Sequence, residues 1–321
     1  MRTISARLCM RLAALAGLVG LLCTAPASAG IVVVLNSADA TISILDQESF
    51  QEIRRFPALR EPHHLVLSPD RSTLIVGDSG GNELLFLDPA TGELQRRMRL
   101  SNPYHLAFTP DGARLVVTSL RRNQVDVYDA ATFTLLKRFP MRDMPSHLAF
   151  SPDSRRAFVT LQGTHEIAAI DLDRLELVYR AEVGRQPAGI AWTPSNYLLV
   201  GIMGSDHVAV VNPDDGRVMR TIPTGRGAHA IFPSPDGKVF YVTNRLADAI
   251  TLIDGTTLEV VRTLTVPNGA DCVAFSGDGK LLWFTRRWAQ KVDVIDLDTG
   301  ATIRSIPVGR SPHGLYVHAD R

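Results

Sequence analysis

The stretch SPDGKVFYVTNRLADAITLID, residues 234–254, carries two marks that recur along the chain at a fixed spacing. One mark is a turn of the type Ser-Pro-Asp. The other is a pair of apolar residues followed by an acid or an amide, which in steps of 41 or 42 residues ends at Asp46, Asp88, Asp129, Asp171, Asn212, Asp254 and Asp296. A self-similar period of this length is typical of proteins built from repeated supersecondary units.

Each repeat predicts four short strands separated by Asp, Gly and Pro turns. In one repeat the predicted strands are His105–Thr109, Arg114–Ser119, Gln124–Asp129 and Leu135–Phe139. Four antiparallel strands of this kind form one blade of a propeller. Seven repeats therefore predict an all-β fold, a seven-bladed β-propeller.

The two ends of the chain predict how the ring closes. Ile31–Asn36 matches the second strand of a blade, whereas Gly314–Val317 matches the innermost strand. We therefore expect the C-terminal inner strand to pair with the N-terminal strands. Such closure protects sheet edges that would otherwise promote aggregation.

The N-terminus has the pattern of a secretory signal peptide. Three arginines precede an apolar run over 12–22, and Ala27-Ser28-Ala29 forms a cleavage site of small residues. The run is too short to span a bilayer. We expect a signal peptide at 1–29 and a propeller at 30–321, with a periplasmic or secreted location and no membrane span after cleavage.

The composition excludes several classes of protein. Apolar residues make up 45% of the 321 residues and charged residues 21%, which is typical of a soluble globular protein. The 34 basic and 33 acidic residues nearly balance, so no charge excess indicates nucleic acid as a partner. Cys272 is the only cysteine after the signal peptide, so we expect no internal disulfide.

The motif Tyr241-Val242-Thr243-Asn244 is the signature of the YVTN-family, or YncE-like, beta-propellers, which this chain resembles. Weaker copies occur at Phe158-Val159-Thr160 and Trp283-Phe284-Thr285, and the resemblance covers the whole mature chain. It implies a seven-bladed exported bacterial protein, but no particular reaction. Related propellers include quinoprotein amine dehydrogenase subunits and the haem domain of nitrite reductase, and some of these carry redox cofactors at the axis.

Most histidines fall on one predicted face, which we call the upper face. It carries the entries into inner strands and the turns between second and third strands. Alignment of the inner strands gives two columns that border the central channel: His64, His105, His147, Gly189, Ala230, Cys272, Gly314; and His63, Tyr104, Ser146, Ala188, His229, Asp271, His313. Three neutral imidazoles suffice to bind zinc or copper with an open position. The adjacent histidines His64, His105 and His147 are therefore the candidate metal ligands.

Two other interpretations of these histidines remain open. They could descend from one duplicated blade and simply cap loops or bond carbonyl groups. They could also bind an organic cofactor, with a tetrapyrrole or a quinone as alternatives to a metal ion at the upper face. For Cys272 the sequence favours a buried apolar role over that of a ligand or nucleophile.

Arginines show the same bias towards the upper face. Five of them occupy turns between second and third strands, where Trp288 also lies: Arg121, Arg122, Arg245, Arg286 and Arg287. Guanidinium groups recognise carboxylates and phosphates, and a basic rim focuses an anion. An exposed tryptophan beside them suits a binding hot spot. The alternatives are solvated arginines and a tryptophan packed on its neighbouring blade.

The leading hypothesis is a periplasmic binding or accessory propeller without catalysis of its own. It would recognise an anionic small molecule, a cofactor or another periplasmic protein through the upper face. The candidate binding residues are His63, His64, His105, His147, His229, His313, Arg121, Arg122, Arg245, Arg286, Arg287 and Trp288. The alternatives are a redox enzyme or subunit that carries copper, a quinone or a tetrapyrrole at the channel mouth, and a propeller lyase. The sequence identifies no catalytic residues.

Overall fold

Short strands make up almost all of the described part of the chain, residues 30–267 and 269–319 of the computed structural model. The predicted signal peptide at 1–29 lies outside these residues. The described residues contain no helix of the length and apolarity needed to cross a membrane.

The strands follow one another in units of four after an initial group of three. The initial strands β1 to β3 are Ile31–Asn36, Thr41–Asp46 and Glu52–Pro57. The next three units are β4–β7 (Pro62–Leu67, Leu74–Asp78, Glu83–Leu87, Leu94–Arg99), β8–β11 (His105–Phe108, Arg114–Ser119, Gln124–Asp129, Leu135–Pro140) and β12–β15 (Pro145–Phe150, Arg156–Leu161, Glu166–Asp171, Glu176–Glu182). The last units are β16–β19 (Pro187–Trp192, Leu198–Ile202, His207–Val211, Val218–Pro223), β20–β23 (Ala228–Pro233, Val239–Asn244, Ala249–Asp254, Val260–Thr265) and β24–β27 (Ala270–Phe275, Leu281–Arg286, Lys291–Asp296, Thr302–Pro307), followed by β28 (Pro312–Val317).

These strands form seven four-stranded antiparallel sheets, which confirms the predicted seven-bladed propeller. We number the blades in chain order. Blade 1 consists of β28, β1, β2 and β3, and blades 2 to 7 begin with β4, β8, β12, β16, β20 and β24.

The ring closes as the chain ends predicted. In blade 1, β28 pairs with β1 in the register Val34 opposite Leu315 and Val32 opposite Val317. Gln47 Nε2 also donates to the carbonyl of His318 at 2.7 Å. The closing strand begins at Pro312, two residues before the predicted start. The first and last parts of the described chain therefore share one hydrogen-bonded sheet.

The apolar core lies between neighbouring blades. The middle strands are buried on both faces, so they consist of continuous apolar runs such as Val32–Leu35, in which every residue is fully buried. Trp283 of blade 7 is fully buried and stacks on Phe50 of blade 1, with ring centroids 5.4 Å apart. Outer strands expose most of their side chains.

The Ser-Pro-Asp marks build the turns of the lower face, opposite the upper one. In the first of them Ser68 Oγ donates to Asp70 Oδ1 at 2.6 Å, and the backbone N–H of Thr73 donates to Ser68 Oγ at 3.0 Å. The same Ser–Asp bond recurs at Ser151, Ser234 and Ser276. These aspartates therefore have a structural role as turn formers.

Candidate functional site

The inner strands bring six histidines together on the propeller axis. Neighbouring ring centroids lie 3.8 to 5.4 Å apart in the pairs His63–His313, His64–His105, His64–His313, His105–His147 and His147–His229. We call the six histidines, together with Tyr104 and Asp271, the axial cluster. The two columns aligned from the sequence thus meet in space.

Threonines of the second strands hold the inner strands in place. Thr285 Oγ1 accepts the backbone N–H of Cys272 at 3.0 Å and donates to the carbonyl of His313 on the next blade at 3.1 Å. Thr243, the threonine of the family signature, donates in the same way to the carbonyl of Asp271 at 2.9 Å. The motif that identifies the fold therefore also positions the axial cluster.

Most of the axial cluster is buried instead of lining an open mouth at the upper face, and Tyr104 and His105 are half-buried. His63, His229 and His313 are each at most 4% exposed, and Asp271 is fully buried. Burial disfavours the charged form of a histidine. It lowers the pKa of all six rings, to about 4 for His105. The imidazoles are therefore neutral at neutral pH.

Asp271 forms the centre of an ion network above the histidines. Its Oδ1 lies 2.6 Å from Arg245 Nη2, and its Oδ2 lies 3.1 Å from Arg287 Nη1. His229 Nδ1 approaches Oδ1 at 3.0 Å, and His313 Nε2 approaches Oδ2 at 3.6 Å. Burial alone would raise the pKa of Asp271, but Arg245, His313 and His229 together outweigh this effect and hold the pKa well below its usual range. The carboxylate and the two guanidinium groups cover the cluster on its upper side.

The predicted arginine rim is therefore largely committed to internal carboxylates. Besides Arg245 and Arg287, Arg286 Nη1 lies 3.2 Å from Oδ2 of the buried Asp293. Arg121 pairs with Glu61 at 2.6 Å near the surface, and Arg122 is exposed. The prediction that these arginines are free to receive an anion did not account for their partners, Asp271, Asp293 and Glu61.

Trp288 is 53% exposed on the upper face, as its place beside the arginines suggested. Its ring also packs over Gly269, where φ is +88° and an added Cβ would lie 2.7 Å from the ring. Glycine at this position therefore lets the tryptophan lie flat against the neighbouring loop.

Several ring nitrogens of the axial cluster are buried without a hydrogen-bond partner among the described residues. They are Nδ1 of His63, Nε2 of His64, Nδ1 of His105 and Nε2 of His147. His229 Nδ1 belongs with them, since its approach to Asp271 is poorly aligned for a hydrogen bond. Buried polar atoms are nearly always paired, so a group of orphaned nitrogens needs a physical explanation.

Two groups within the described residues have the spacing of metal ligands. One is His63, His64 and His313, and the other is His229, Asp271 and His313. In each group the candidate ligand atoms all lie within 4.8 Å of one another. The rings of His64, His105 and His147 are in contact, but these three do not form such a group. The sequence alignment could not separate these sets, because it fixes the column of a residue and not its side-chain direction.

Below the cluster lies a cavity of about 650 Å³. His64, His105 and His147 form its inner end, and its wall includes Trp192 and Phe232. It extends to turns of the lower face that contain Pro110, Pro152 and Pro194. This cavity was not predicted from the sequence. Its available signal was the pair of small residues, Gly189 and Ala230, in a column that has histidine in three other blades.

A second depression, of about 610 Å³, lies on the upper face. Its lining includes Arg60, Glu61, Arg121 and Arg287. Because Arg287 also contacts Asp271, this side chain separates the depression from the buried histidines.

Solved structures with similar folds come from proteins of several kinds. The dihydro-heme d1 dehydrogenase NirN in complex with DHE is 20% identical, with a TM-score of 0.67 over 90% of this chain and 75% of that chain. Hydrazine synthase of Kuenenia stuttgartiensis is 22% identical, with a TM-score of 0.67 over 80% and 92%. A functionally unknown protein from Desulfotomaculum acetoxidans is 16% identical, with a TM-score of 0.76 over 90% and 99%. At these identities the similarity is one of fold.

A comparison with curated protein sequences found no match. The family model described as YNCE-like beta-propeller, in contrast, matches residues 1–321. Together with the seven blades and the signature at Tyr241-Val242-Thr243-Asn244, this match shows that the chain belongs to the YNCE-like beta-propellers.

Proposed function

We propose that this protein is an exported binding propeller that holds one divalent transition-metal ion on its axis, through His63, His64 and His313. The observation that carries the proposal is the approach of their candidate ligand atoms to within 4.8 Å of one another at a buried position that His64 connects to the lower cavity. The signal-peptide pattern of residues 1–29 supports export.

The tautomer of His313 suits it for metal binding. Its Nδ1 lies 2.9 Å from the carbonyl oxygen of His63, which can only accept a hydrogen bond, so Nδ1 carries the proton. The lone pair of the neutral ring is therefore on Nε2. A backbone partner of this kind orients the ring and fixes the ligand nitrogen, as it does for most metal-bound histidines.

The charge and donor type of the group favour zinc or copper. Imidazole nitrogens suit these metals, whereas magnesium and calcium prefer oxygen ligands. Tetrahedral zinc at 2.0–2.1 Å requires ligand nitrogens about 3.3 Å apart, so small ring rotations would close the site. Burial raises the pKa of the neighbouring Cys272 thiol, so a thiolate ligand is not expected from it.

The second group of possible ligands is less suitable. Its carboxylate, Asp271, is already paired with Arg245 and Arg287 at 2.6 and 3.1 Å. A dication there would compete with both guanidinium groups for this carboxylate, whereas the ligands His63, His64 and His313 include no carboxylate. Arg245 Nη2 also lies 3.5 Å from His313 Nε2, so metal binding to either group displaces this contact.

Calorimetric titration of zinc and copper(II) into metal-free protein tests the proposal. We expect one equivalent to bind to the wild type and the affinity to fall at least 100-fold in His63→Phe, which keeps a ring at this position. His105→Phe is the matched control, because His105 belongs to the axial cluster but is not one of the three proposed metal ligands. This variant should bind the metal as the wild type does. No binding to the wild type, or equal binding to both variants and the wild type, would contradict the proposal.

The upper depression favours a second, separate role in anion recognition. Arg60, Arg121 and Arg287 surround it, with Glu61 as the acid in its lining. Arg60 is exposed and lines the depression, so its guanidinium group is accessible to a carboxylate or phosphate ligand there. Titration with inorganic phosphate and succinate at low and high salt, in wild type and Arg60→Ala, tests this role. A salt-sensitive affinity that Arg60→Ala reduces supports it, whereas no binding at low salt contradicts it.

A further inference from the structure

The cavity below the axial cluster is large enough for an organic molecule. Its volume of about 650 Å³ is within the range of known small-molecule sites, roughly 300 to 1,000 Å³. It follows the inner strands of blades 4, 5 and 6 from the histidines down to the turns of the lower face. A ligand in it would therefore enter from the face opposite the arginines.

The space exists because the blades differ in one column. Blades 2, 3 and 4 place an imidazole there, while blades 5 and 6 place Gly189 and Ala230. A Cβ at Gly189 would lie 2.6 Å from the carbonyl oxygen of His229, so the close approach of the neighbouring inner strand requires glycine. Because histidines occupy this column in blades 2 to 4 and small residues occupy it in blades 5 and 6, the cavity lies to one side of the axis.

The wall of this cavity has a distinct chemistry. Aromatic and aliphatic side chains form most of it: Phe150, Ile190, Trp192, Ile231, Phe232 and Phe240. No Asp, Glu, Lys or Arg is among the described residues that line it. Such a wall favours an aromatic ligand without charge, because a charged group here would lose its hydration without gaining a counter-ion.

The inner end supplies the polar contacts. His105 Nδ1 and His147 Nε2 are both buried without a hydrogen-bond partner among the described residues. Gln162 Nε2 donates to Ser146 Oγ at 2.8 Å, and Ser146 Oγ lies 2.7 Å from His147 Nδ1. Ser146 also hydrogen-bonds to Tyr104, so its hydroxyl can donate either to Tyr104 or to His147, and His147 can carry its proton on either ring nitrogen. The inner end therefore offers unpaired ring nitrogens to a ligand that can donate or accept a hydrogen bond.

We infer that this cavity binds an uncharged aromatic molecule of two to three rings, which enters from the lower face and forms hydrogen bonds with His105 and His147. The inference goes beyond the metal site, because His105 and His147 are not among the proposed metal ligands, although His64 borders both the metal site and the cavity. Ligand binding at the lower face should therefore persist in the presence of a chelator.

Fluorescence titration with N-phenyl-1-naphthylamine, in the presence of EDTA, tests the inference. This uncharged dye has a fused ring pair and a phenyl ring, and it emits strongly in apolar surroundings. We expect one equivalent to bind. The sulfonated analogue 1-anilinonaphthalene-8-sulfonate has the same rings and one negative charge, and we expect it to bind at least tenfold more weakly.

Substitutions at Ala230 locate the site, since this small side chain lines the cavity. Ala230→Leu should weaken binding of the uncharged dye several-fold and Ala230→Phe at least tenfold, with folding checked by circular dichroism. Trp288→Ala is the control for binding to the exposed tryptophan and should bind as the wild type does. No binding to the wild type, equal binding of the sulfonated dye, unchanged affinity in a folded Ala230→Leu, or loss of binding in Trp288→Ala would overturn the inference.

Discussion

Acidification from pH 7 to pH 5 should destabilise the metal-free protein by at least about 5 kcal/mol, which is half or more of a typical folding free energy. Burial lowers the pKa of His105 and His229 to about 4 and that of His313 to about 3, from 6.5 in the unfolded chain. The unfolded state therefore takes up protons first as the pH falls, and stability is lost below pH 6.5. Each ring contributes a loss of about 1.8 kcal/mol over this interval, so these three together contribute about 5 kcal/mol. His63, His64 and His147, whose pKa values burial also lowers, add to this loss.

Urea denaturation followed by circular dichroism at pH 7, 6 and 5, with EDTA present, measures this loss. The variant His105→Gln is the control, because it removes one titrating ring and replaces it with a side chain of similar size. Its pH-dependent loss should be smaller by the share of one ring, about 1.8 kcal/mol. An unfolding free energy that is equal at pH 7 and pH 5 would refute the argument that burial keeps these rings neutral.

Three further predictions concern the framework of the site. Thr285→Val should lower the unfolding free energy by about 1–3 kcal/mol in urea denaturation, since it leaves the carbonyl of His313 and the N–H of Cys272 without their partner; an unchanged midpoint would contradict this. Asp271→Asn should cost about 3–5 kcal/mol by the same measurement, because Arg245 and Arg287 lose their shared counter-charge, and wild-type stability would show that the network has no net effect. Truncation before Thr302 removes the closing strand, so calorimetry should show loss of the cooperative transition; a cooperative transition near the full-length temperature would disprove the role of closure.

The fold could be predicted because its signals are local and repeated. The apolar runs that end in Asp or Asn occur seven times, and turns of the Ser-Pro-Asp type occur five times. Both marks act within one blade, and together they determine the strand order. Closure followed from the strand types at Ile31–Asn36 and Gly314–Val317. The column alignment also predicted that histidines from different blades meet, because the inner strands of a propeller all border one axis.

The electrostatics of the site could not be predicted in the same way. Arg245 and Asp271 are 26 positions apart in sequence and belong to adjacent blades, and their pairing depends on side-chain directions that a repeat alignment does not give. The burial of the histidines depends on this pairing, as Arg245 and Arg287 cover them. One signal of the network was available in the sequence: Asp271 is the acid in a column that contains three histidines.

The network of Asp271, Arg245 and Arg287 divides the central passage into two compartments with separate access. Arg287 lies between the upper depression and the histidines that end the lower cavity. If both proposed sites bind ligands, unlike molecules would occupy the two sides at the same time. A copy attached to a larger assembly through its upper loops would keep its lower entrance free, and could take up and release a small molecule there without detaching.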